Sequence, residues 1–372
     1  MLNILEIRRK IHKNPELGNQ EFATSRLIQE CLTSLEIPFQ SIAGTGVVGL
    51  IDNHKDKTLL LRADIDALPI QENTGLPYAS KNNGVMHACG HDFHIAMLLG
   101  AAQELVQKRE QLSCNVKVVF QPDEEGDGGA KRMIDEYVLE NPIVDGALAF
   151  HVWPDLPFGT VGIKTGPLTA TGDTFTIKLS GSGGHIADGN ILPNPIVAAN
   201  EIITELHSIN LENPHRLGIC NINSGTGADN IIPHECTISG GMRVLTPVDR
   251  EKWQEEMASI VNRVAKKYNI QGEFTSKIFS GYPPMINDEK LTSAISEIVR
   301  PKAKIESIAK PYFIAEDFAS FGAAVPSSLI LLGCSSQENL GKNALHKADF
   351  VADERVIDLG IDIFTNFILN FK

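Results

Sequence analysis

The chain has 372 residues with 46 acidic and 33 basic side chains, which gives a formal net charge of −13 at pH 7. Hydrophobic residues make up 42% and charged residues 21%. This is a globular composition, and it excludes a disordered, collagen-like or small disulfide-rich chain. Nucleic acids and anionic membranes attract clustered Lys and Arg, so an acidic chain predicts no nucleic-acid and no membrane partner. At roughly 150 residues per domain, the length predicts two domains.

The sequence carries no pattern for membrane insertion or export. No stretch reaches the roughly 18 consecutive apolar residues of a membrane span, and residues 1–16 lack the apolar core of a signal peptide. We therefore expect a cytoplasmic protein. The six cysteines are far apart in a chain too large to need disulfides, so reduced thiols are expected. Five of them lie in or near apolar stretches, and Cys89 does not.

The first half of the chain alternates helical and strand patterns. Two helices are predicted at 3–12 and 20–35, separated by the segment Asn-Pro-Glu-Leu-Gly, whose Pro and Gly interrupt a helix. Short apolar strands are predicted at 47–51, 58–61, 116–120 and 147–150, and further helices lie between them at 93–106 and 130–138. This order predicts an α/β domain with a doubly wound, mostly parallel sheet covered by helices on both faces.

The pattern changes near residue 170. The sequence then predicts a strand at 174–179, a helix at 195–207, two strands at 217–222 and 236–244, a helix at 250–267 and a last strand at 273–278. This order predicts a ferredoxin-like, split βαβ domain of the α+β class. A buried strand at 327–332 and a helix at 354–371 can rejoin the first sheet. We therefore place residues 170–281 in an inserted domain and residues 1–169 and 282–372 in the first domain.

Four polar clusters lie where a doubly wound sheet forms its ligand crevice. Three follow predicted strands and one opens a helix, at 62–66, 121–126, 151–154 and 87–94. Their convergence on one sheet edge predicts a functional site. His151, taken alone, is equally consistent with a capped core histidine.

Cys89 and His91 have the chemistry of a metal site. Gly90 between them lets the backbone turn so that thiolate and imidazole both point inward, which suits a borderline cation such as Zn²⁺. The alternatives are a structural zinc site or a buried Cys beside a solvent-facing His. Structural zinc sites often use paired C-x-x-C motifs, and the sequence has none, so the pattern favours a catalytic metal. His87 and His94 are expected to support ligands or to be structural.

Glu124 and Glu125 are adjacent carboxylates after a buried strand. Two such groups repel each other and lose solvation when buried, so they need a cation nearby. In an extended segment they point opposite ways, so that one could ligate a metal while the other takes a proton from water. The alternative is a solvated acidic loop.

Seven motifs together resemble the M20 metallopeptidases. They keep their order across nearly the whole chain and are RADIDALP (62–69), MHACGHD (86–92), FQPDEEG (120–126), GGH (183–185), NIIP (230–233), EDF (316–318) and ALH (344–346). The resemblance is to the amidohydrolase branch, subfamily D. That branch contains N-acyl amino acid amidohydrolases, hippurate hydrolases, indoleacetyl-amino-acid hydrolases and N-acetyldiaminopimelate deacetylases.

The resemblance implies a catalytic domain with two divalent metal ions and an inserted lid domain that forms a homodimer. The metal ligands that it implies are Cys89, His91, Glu125, His151 and His346. Glu124 would be the general base, and Asp64 and Asp66 would orient the ligands without binding the ions. The thiolate favours zinc, while manganese, cobalt and nickel stay open.

The resemblance also implies roles for three residues of the inserted domain. His185 would reach the partner subunit's site and stabilise the oxyanion, while Asn230 and Arg243 would grip the substrate carbonyl and carboxylate. From the residues alone, His185 could equally be a loop histidine and Arg243 an exposed strand charge. The sequence departs from the branch at 186–190, at Asn194-Pro195 and at Asp123, whose role the sequence does not assign.

These features predict a hydrolase acting on linear amide bonds. The expected substrate is a small molecule, an N-acyl amino acid, cleaved by a metal-activated water with Glu124 as base. One alternative is a dipeptidase or carboxypeptidase that uses the same metal core. The other is a non-catalytic binding protein stabilised by metal.

Overall fold

The computed structural model describes residues 1–188, 192–225, 227–278 and 282–371. Its helices, in chain order, are α1 (Ile4–Lys13), α2 (Phe22–Ser34), α3 (His91–Gln107), α4 (Gly129–Asp135), α5 (Pro195–Leu206), α6 (Pro247–Lys267), α7 (Glu289–Val299), α8 (Ala319–Ala324) and α9 (Val356–Asn370). Its strands are β1 (Phe39–Ile42), β2 (Gly46–Ile51), β3 (Thr58–Asp64), β4 (Asn115–Gln121), β5 (Gly146–Pro157), β6 (Thr160–Ile163), β7 (Gly166–Pro167), β8 (Asp173–Ser180), β9 (Gly184–His185), β10 (Arg216–Ser224), β11 (Ile231–Ile232), β12 (Glu235–Arg243), β13 (Gln271–Ile278), β14 (Ile286–Asn287), β15 (Lys304–Ser307) and β16 (Ser327–Ser335).

The chain divides into two compact units. The first comprises Met1–Leu168, Met285–Lys310 and Asp317–Lys372, and the second comprises Thr169–Pro284 and Pro311–Glu316. The sequence placed the boundaries at 169/170 and 281/282 and gave 311–316 to the first domain, whereas these residues group with the second unit. Within that unit, Ala170 N donates to Ile314 O at 2.9 Å and the Arg216 guanidinium lies 4.2 Å from the centroid of the Phe313 ring. These contacts join residues distant in sequence, which local patterns do not reveal.

The first unit is built on an eight-stranded mixed sheet with the order β1-β2-β4-β3-β5-β16-β6-β15. Its four central strands, β4, β3, β5 and β16, are mutually parallel, while β1, β2 and β6 join by antiparallel pairing. The predicted α/β class is confirmed, with antiparallel strands toward the edges. Helix α3 packs against α1 and α9 and is buried along most of its length. Burial on several sides explains why its sequence is apolar and only weakly amphipathic.

The second unit has a four-stranded antiparallel sheet with the order β10-β12-β8-β13. Because the chain order is β8, α5, β10, β12, α6 and β13, this is the ferredoxin-like arrangement that the sequence predicted. Helices α5 and α6 pack on each other and on this sheet. The buried Trp253 ring makes T-shaped, edge-to-face contacts with Phe175 and Phe274 at centroid distances of 6.2 and 6.5 Å.

Local sequence explains where α5 begins. Asn194 is the N-cap, its side chain accepts a hydrogen bond from Ile196 N at 3.0 Å, and Pro195 occupies the first helical turn. Asn194 thus provides the cap of α5. Among the described residues, the helices are too short or too polar to cross a membrane.

The six cysteines are free, in agreement with the reduced thiols that the sequence predicted. Five of them are buried. Cys220 is exposed on β10, although its sequence surroundings are apolar.

Candidate metal centre

The polar clusters of the sequence meet on the first unit. Strands β4, β3 and β5 are neighbours in its sheet, so the turn after β3 and the turn after β4 lie close to β5. His151 lies within β5, which continues to Pro157, and does not follow the strand as the sequence predicted. Cys89 and His91 flank the start of α3, and His346 lies in the segment between β16 and α9.

Gly90 allows Cys89 and His91 to face the same centre. Its φ is +82°, in the left-handed region that glycine adopts at little cost. A Cβ atom at this position would lie 2.4 Å from Val152 Cγ2, which is closer than two carbon atoms can approach. The turn that the sequence predicted between thiol and imidazole therefore requires glycine for both its backbone angle and its lack of a side chain.

Cys89 is shared by two groups of candidate ligands. One group contains Cys89, His91 and His151, and the other contains Cys89, Glu125 and His346, with the ligand atoms of each group within 4.8 Å of one another. The Cys89 Sγ atom lies 3.4 Å from His151 Nε2 and 3.3 Å from His346 Nε2. The structure therefore brings the five predicted ligands together, and the two groups would hold two divalent cations.

Glu124 and Glu125 occupy a turn, and the expectation of an extended segment is wrong. Residues 124–127 form the turn, and both carboxylates belong to a third group of candidate ligands with His91. Their partners differ, because Glu125 Oε1 lies 3.1 Å from His346 Nε2 whereas Glu124 Oε1 accepts a hydrogen bond from Asp317 N at 3.4 Å. The turn, and not strand alternation, gives the two carboxylates different environments.

Asp66 contacts both the candidate ligand His91 and the turn that carries Glu125. Its Oδ1 lies 3.0 Å from His91 Nδ1, and its Oδ2 accepts from Glu125 N at 2.9 Å. This contact leaves His91 Nε2 as the atom directed at the cluster. In the described part of the chain, His91 Nε2 is buried and has no hydrogen-bond partner. A buried imidazole nitrogen without a partner, beside a thiol and carboxylates, fits a metal ligand.

The histidines beside the cluster have backbone partners that fix their tautomers. Val152 N donates to His94 Nε2 at 3.0 Å, so His94 carries its proton on Nδ1 and donates it to Asp64 Oδ1 at 2.6 Å. His151 Nδ1 lies 2.8 Å from Val152 O and donates to it, which leaves its Nε2 lone pair facing Cys89. His94 thus supports Asp64 and β5, in line with its expected supporting role.

His87 does not share this role. It is buried, and neither ring nitrogen has a hydrogen-bond partner among the described residues. Burial lowers the pKa of His87 to about 4, so its ring is neutral at physiological pH.

The electrostatics of the cluster favour a bound cation. Burial, followed by the charges of Glu125 and Glu124, raises the pKa of the Cys89 thiol well above its ordinary value. Burial lowers the pKa of His91, but Asp64 and Asp66 outweigh it and raise that pKa to about 10. Protons therefore neutralise the cluster where a metal ion is absent. Imidazole, thiolate and carboxylate together suit divalent transition metals, zinc in particular.

Asp123 has a structural role, which the sequence did not assign. It is buried with φ at +55°, and its Oδ2 accepts from Asn19 Nδ2 at 2.7 Å and from Arg132 Nη2 at 3.1 Å. Its own N–H donates to Glu21 Oε1 at 2.9 Å. These contacts fix the residue that precedes the two glutamates, and Asp123 belongs to none of the candidate ligand groups of the described residues.

The second unit brings two of its three predicted substrate residues together. Strand β9 pairs with β11, so that His185 Nε2 lies 3.5 Å from Asn230 Nδ2. Arg243 Nη1 instead donates to the backbone oxygens of Met242 and Asp173, at 2.9 and 3.2 Å. The oxyanion and substrate-binding roles of these residues stay predictions. In the atypical segment 186–190, residues 189 and 190 lie outside the described residues.

Sequence reasoning did not assign a role to Arg62, Gln121 or Asp317. All three are fully buried in the first unit and are joined by hydrogen bonds next to the turn of Glu124. Arg62 and Asp317 lie in the RADIDALP and EDF motifs, Arg62 within β3 and Asp317 just before α8, so a charged side chain inside a motif is the signal that could have found them.

A family model described as Peptidase family M20/M25/M40 matches residues 60–370. The chain belongs to this family. It is therefore a hydrolase of amide bonds, and the family predicted from the motifs is confirmed.

Two curated relatives and one solved structure are similar over nearly the whole chain. N-acetyl-L-cysteine deacetylase of Bacillus subtilis (strain 168) is 36% identical over 361 residues, covering 95% of this chain and 84% of the relative. Thermostable carboxypeptidase 1 of Saccharolobus solfataricus is 37% identical over 369 residues, covering 96% and 92%. The Bacillus subtilis YXEP protein, described as a dinuclear metal binding peptidase from the M20 family, superposes with a TM-score of 0.87 at 33% identity, covering 98% and 96%.

Proposed function

We propose that this member of the M20 family hydrolyses the amide bond of N-acyl amino acids and releases a carboxylic acid and a free amino acid. The proposal rests on one observation. Two groups of candidate metal ligands share Cys89, and a further carboxylate, Glu124, lies beside them in the turn that also carries Glu125. A site that only bound metal would have no need of this additional carboxylate. The similarity to an enzyme named N-acetyl-L-cysteine deacetylase supports the choice of substrate class.

Two divalent cations would be held by the groups that share Cys89. His91 and His151 would complete one group, and Glu125 and His346 the other. When bound, the ions supply a Lewis acid that polarises the substrate carbonyl and lowers the pKa of water from about 15.7 toward about 7. Zinc is the metal that the thiolate favours.

Glu124 would move the proton of the reaction. Its carboxylate accepts a proton from the attacking water as the oxygen adds to the carbonyl carbon, and it returns that proton to the leaving nitrogen as the C–N bond breaks. Glu124 is nearly buried, at 8% exposure, and Asp317 N–H donates to its Oε1, so the carboxylate is held in a defined position. Both features suit a general base that takes a proton from one water molecule in each turnover.

Residues of the second unit would bind the rest of the substrate. His185 would stabilise the oxyanion in the site of a partner subunit, which requires a homodimer formed through this unit. Arg243 would hold the free carboxylate through its planar guanidinium, and Asn230 the carbonyl. Sedimentation combined with activity measurements tests the dimer, and an active monomer would remove the role of His185 in the partner's site.

A carboxypeptidase or dipeptidase activity is the second candidate. It is favoured by the 37% identity to a protein named Thermostable carboxypeptidase 1. The same metal ligands and base would serve both reactions, because the bond that breaks is an amide in each. The difference lies in the group on the far side of that amide, an acyl group in one case and an aminoacyl group in the other.

The experiment is amine release from N-acetyl, N-benzoyl and N-indoleacetyl amino acids and from free dipeptides, with metal-loaded protein. Glu124→Gln serves as the blank, and Glu136→Gln, which alters an exposed carboxylate bound to Ala43 N, is the matched control. We expect turnover on an N-acyl class, a loss of about 10²- to 10⁴-fold in Glu124→Gln and unchanged turnover in Glu136→Gln. Faster cleavage of dipeptides would favour the second candidate, and an active Glu124→Gln would contradict the base assignment.

A further inference from the structure

Asp317 contacts the turn that carries Glu124 at three points. Its Oδ2 accepts from Gln121 Nε2 at 2.6 Å, at the end of β4, and from Ala130 N at 3.0 Å, at the start of α4. Its own N–H donates to Glu124 Oε1 at 3.4 Å, between these two points. Asp317 is fully buried. One residue therefore joins the beginning, the middle and the end of the segment 121–130.

Arg62 fixes Asp317 in place. The guanidinium donates to Asp317 Oδ1 at 2.7 Å, to Asp64 Oδ2 at 2.7 Å and to Gln121 Oε1 at 2.8 Å. The Arg62 side chain is fully buried, so solvent does not compete for these bonds. A planar guanidinium with three partners sets directions as well as distances, which a lysine ammonium would not do. Arg62 thus couples Asp317 to Asp64, the carboxylate that also binds His94.

We propose that Asp317 is a positioning residue that clamps the turn of residues 121–130 and thereby sets the place of the Glu124 carboxylate. The inference deepens the proposed function, since it depends on Glu124 being the base. Residues 124–127 belong to neither a strand nor a helix, and the turn is spanned by a backbone hydrogen bond from Gly128 N to Asp123 O at 3.1 Å. The three contacts of Asp317 add to this bond and to the bond from Glu125 N to Asp66, and they restrain the Glu124 carboxylate itself. A displacement of about 1 Å at a reacting group can lower the rate by about 10²-fold.

The competing explanation is that Asp317 is a buried ion-pair partner of Arg62 with no effect on Glu124. Asp249 provides a matched control, because it is also buried and its carboxylate also accepts from a backbone N–H, Glu212 N at 3.2 Å, and from a side-chain amide, Asn213 Nδ2 at 2.7 Å. It lies in the second unit and belongs to none of the candidate ligand groups of the described residues. Replacing each Asp by Asn removes one buried charge at constant size.

The test compares Asp317→Asn and Asp249→Asn with wild type in the metal-loaded full-length protein. Three quantities are measured: kcat and KM on the best substrate of the panel, bound metal by elemental analysis, and amide hydrogen exchange of peptides covering 121–130 and 209–216. We expect Asp317→Asn to lower kcat by about 10- to 100-fold, as for outer groups that orient active-site residues, with KM within about twofold and metal retained. Exchange should rise in 121–130 for this variant, and only in 209–216 for Asp249→Asn, whose kcat should equal that of wild type.

Four results would overturn the proposal that Asp317 clamps the turn of residues 121–130. They are unchanged exchange in 121–130, an unchanged kcat despite faster exchange, a loss of metal that accounts for the lost turnover, and an equal loss of kcat in Asp249→Asn. If Asp317→Asn does not fold, Gln121→Met removes the bonds of Gln121 to Asp317 and to Arg62 Nε and keeps the pair between Arg62 and Asp317, and the same changes are then expected at smaller size. Glu124→Gln separates the two hypotheses. An active Glu124→Gln contradicts the assignment of Glu124 as the base, whereas the exchange data report on the restraint of the turn whether or not Glu124 is the base.

Discussion

Replacing Gly90 by alanine should damage the metal centre through the backbone of β5. At φ of +82°, an alanine costs about 1–2 kcal/mol relative to glycine. Its Cβ would also lie 2.4 Å from Val152 Cγ2, and overpacking of this kind in a buried position costs about 1–3 kcal/mol. The sum is about 2–5 kcal/mol of unfolding free energy for Gly90→Ala.

Gly75→Ala isolates the backbone contribution. Gly75 has φ of +70°, and an added Cβ would have no atom within 4 Å. We expect only the 1–2 kcal/mol of the backbone angle there. The difference between the two variants measures the overlap with Val152. Because Val152 N–H holds His94 and its carbonyl accepts from His151, a shift of Val152 should also weaken metal binding by about 10- to 100-fold in Gly90→Ala.

The assay is urea unfolding of the metal-free proteins, followed by competition titration with a chelator for metal affinity. A second substitution, Val152→Ala, should restore part of the metal affinity lost in Gly90→Ala, since it removes the overlapping methyl group. Equal destabilisation by Gly90→Ala and Gly75→Ala, with equal metal affinity, would refute the steric argument. It would mean that the turn at Gly90 adapts without moving β5.

Three further outcomes are expected. Cys89→Ser should lower the bound metal per chain in elemental analysis, whereas Cys220→Ser, which alters the exposed thiol, should leave it unchanged. Asp66→Asn should weaken metal binding by about 10- to 100-fold in the chelator titration, because the contact with His91 loses its charge. Lys117 donates to Val138 O and Glu140 O in a buried position, and burial lowers the pKa of Lys117 to about 8 from 10.5. Between these pH values Lys117 is protonated in the unfolded chain and neutral in the folded chain, so its own contribution to stability should rise with pH there. The unfolding free energy of wild type minus that of Lys117→Met, measured in urea, should therefore increase from pH 8 to pH 10.

The chemistry of the candidate centre could be predicted from the sequence, but its geometry could not. Cys89, His91 and His151 have side chains that bind metals, and their membership of the polar clusters predicted that they would come together, although His151 lies within β5 and not after it. The two glutamates show the limit, because strand alternation wrongly predicted opposite directions where the chain forms a turn. Asp317, which contacts Glu124 in this turn, follows it by 193 positions, so no local pattern places the two residues together.

The fold, like the candidate centre, could be predicted where residues close in sequence carry the signal. Short runs of apolar residues identified the central strands, which are buried on both faces, and an alternating strand followed by helix and strand patterns identified the ferredoxin-like unit. The short strands β1, β6 and β15 were missed, since four residues are too few to show a period. The assignment of 311–316 to the second unit depends on contacts such as Ala170 with Ile314.

Left-handed backbone conformations recur in the segments that carry the candidate ligands. Gly90 lies between Cys89 and His91, Asp123 precedes the glutamates with φ of +55°, and His346 itself has φ of +60°. For residues other than glycine this conformation costs about 1–3 kcal/mol, which surrounding contacts must offset. Asp123 obtains them from its buried hydrogen bonds, whereas His346 is partly exposed and has its N–H bound to Ala88 O at 2.9 Å. His346 thus adopts this conformation in a more exposed setting than Asp123.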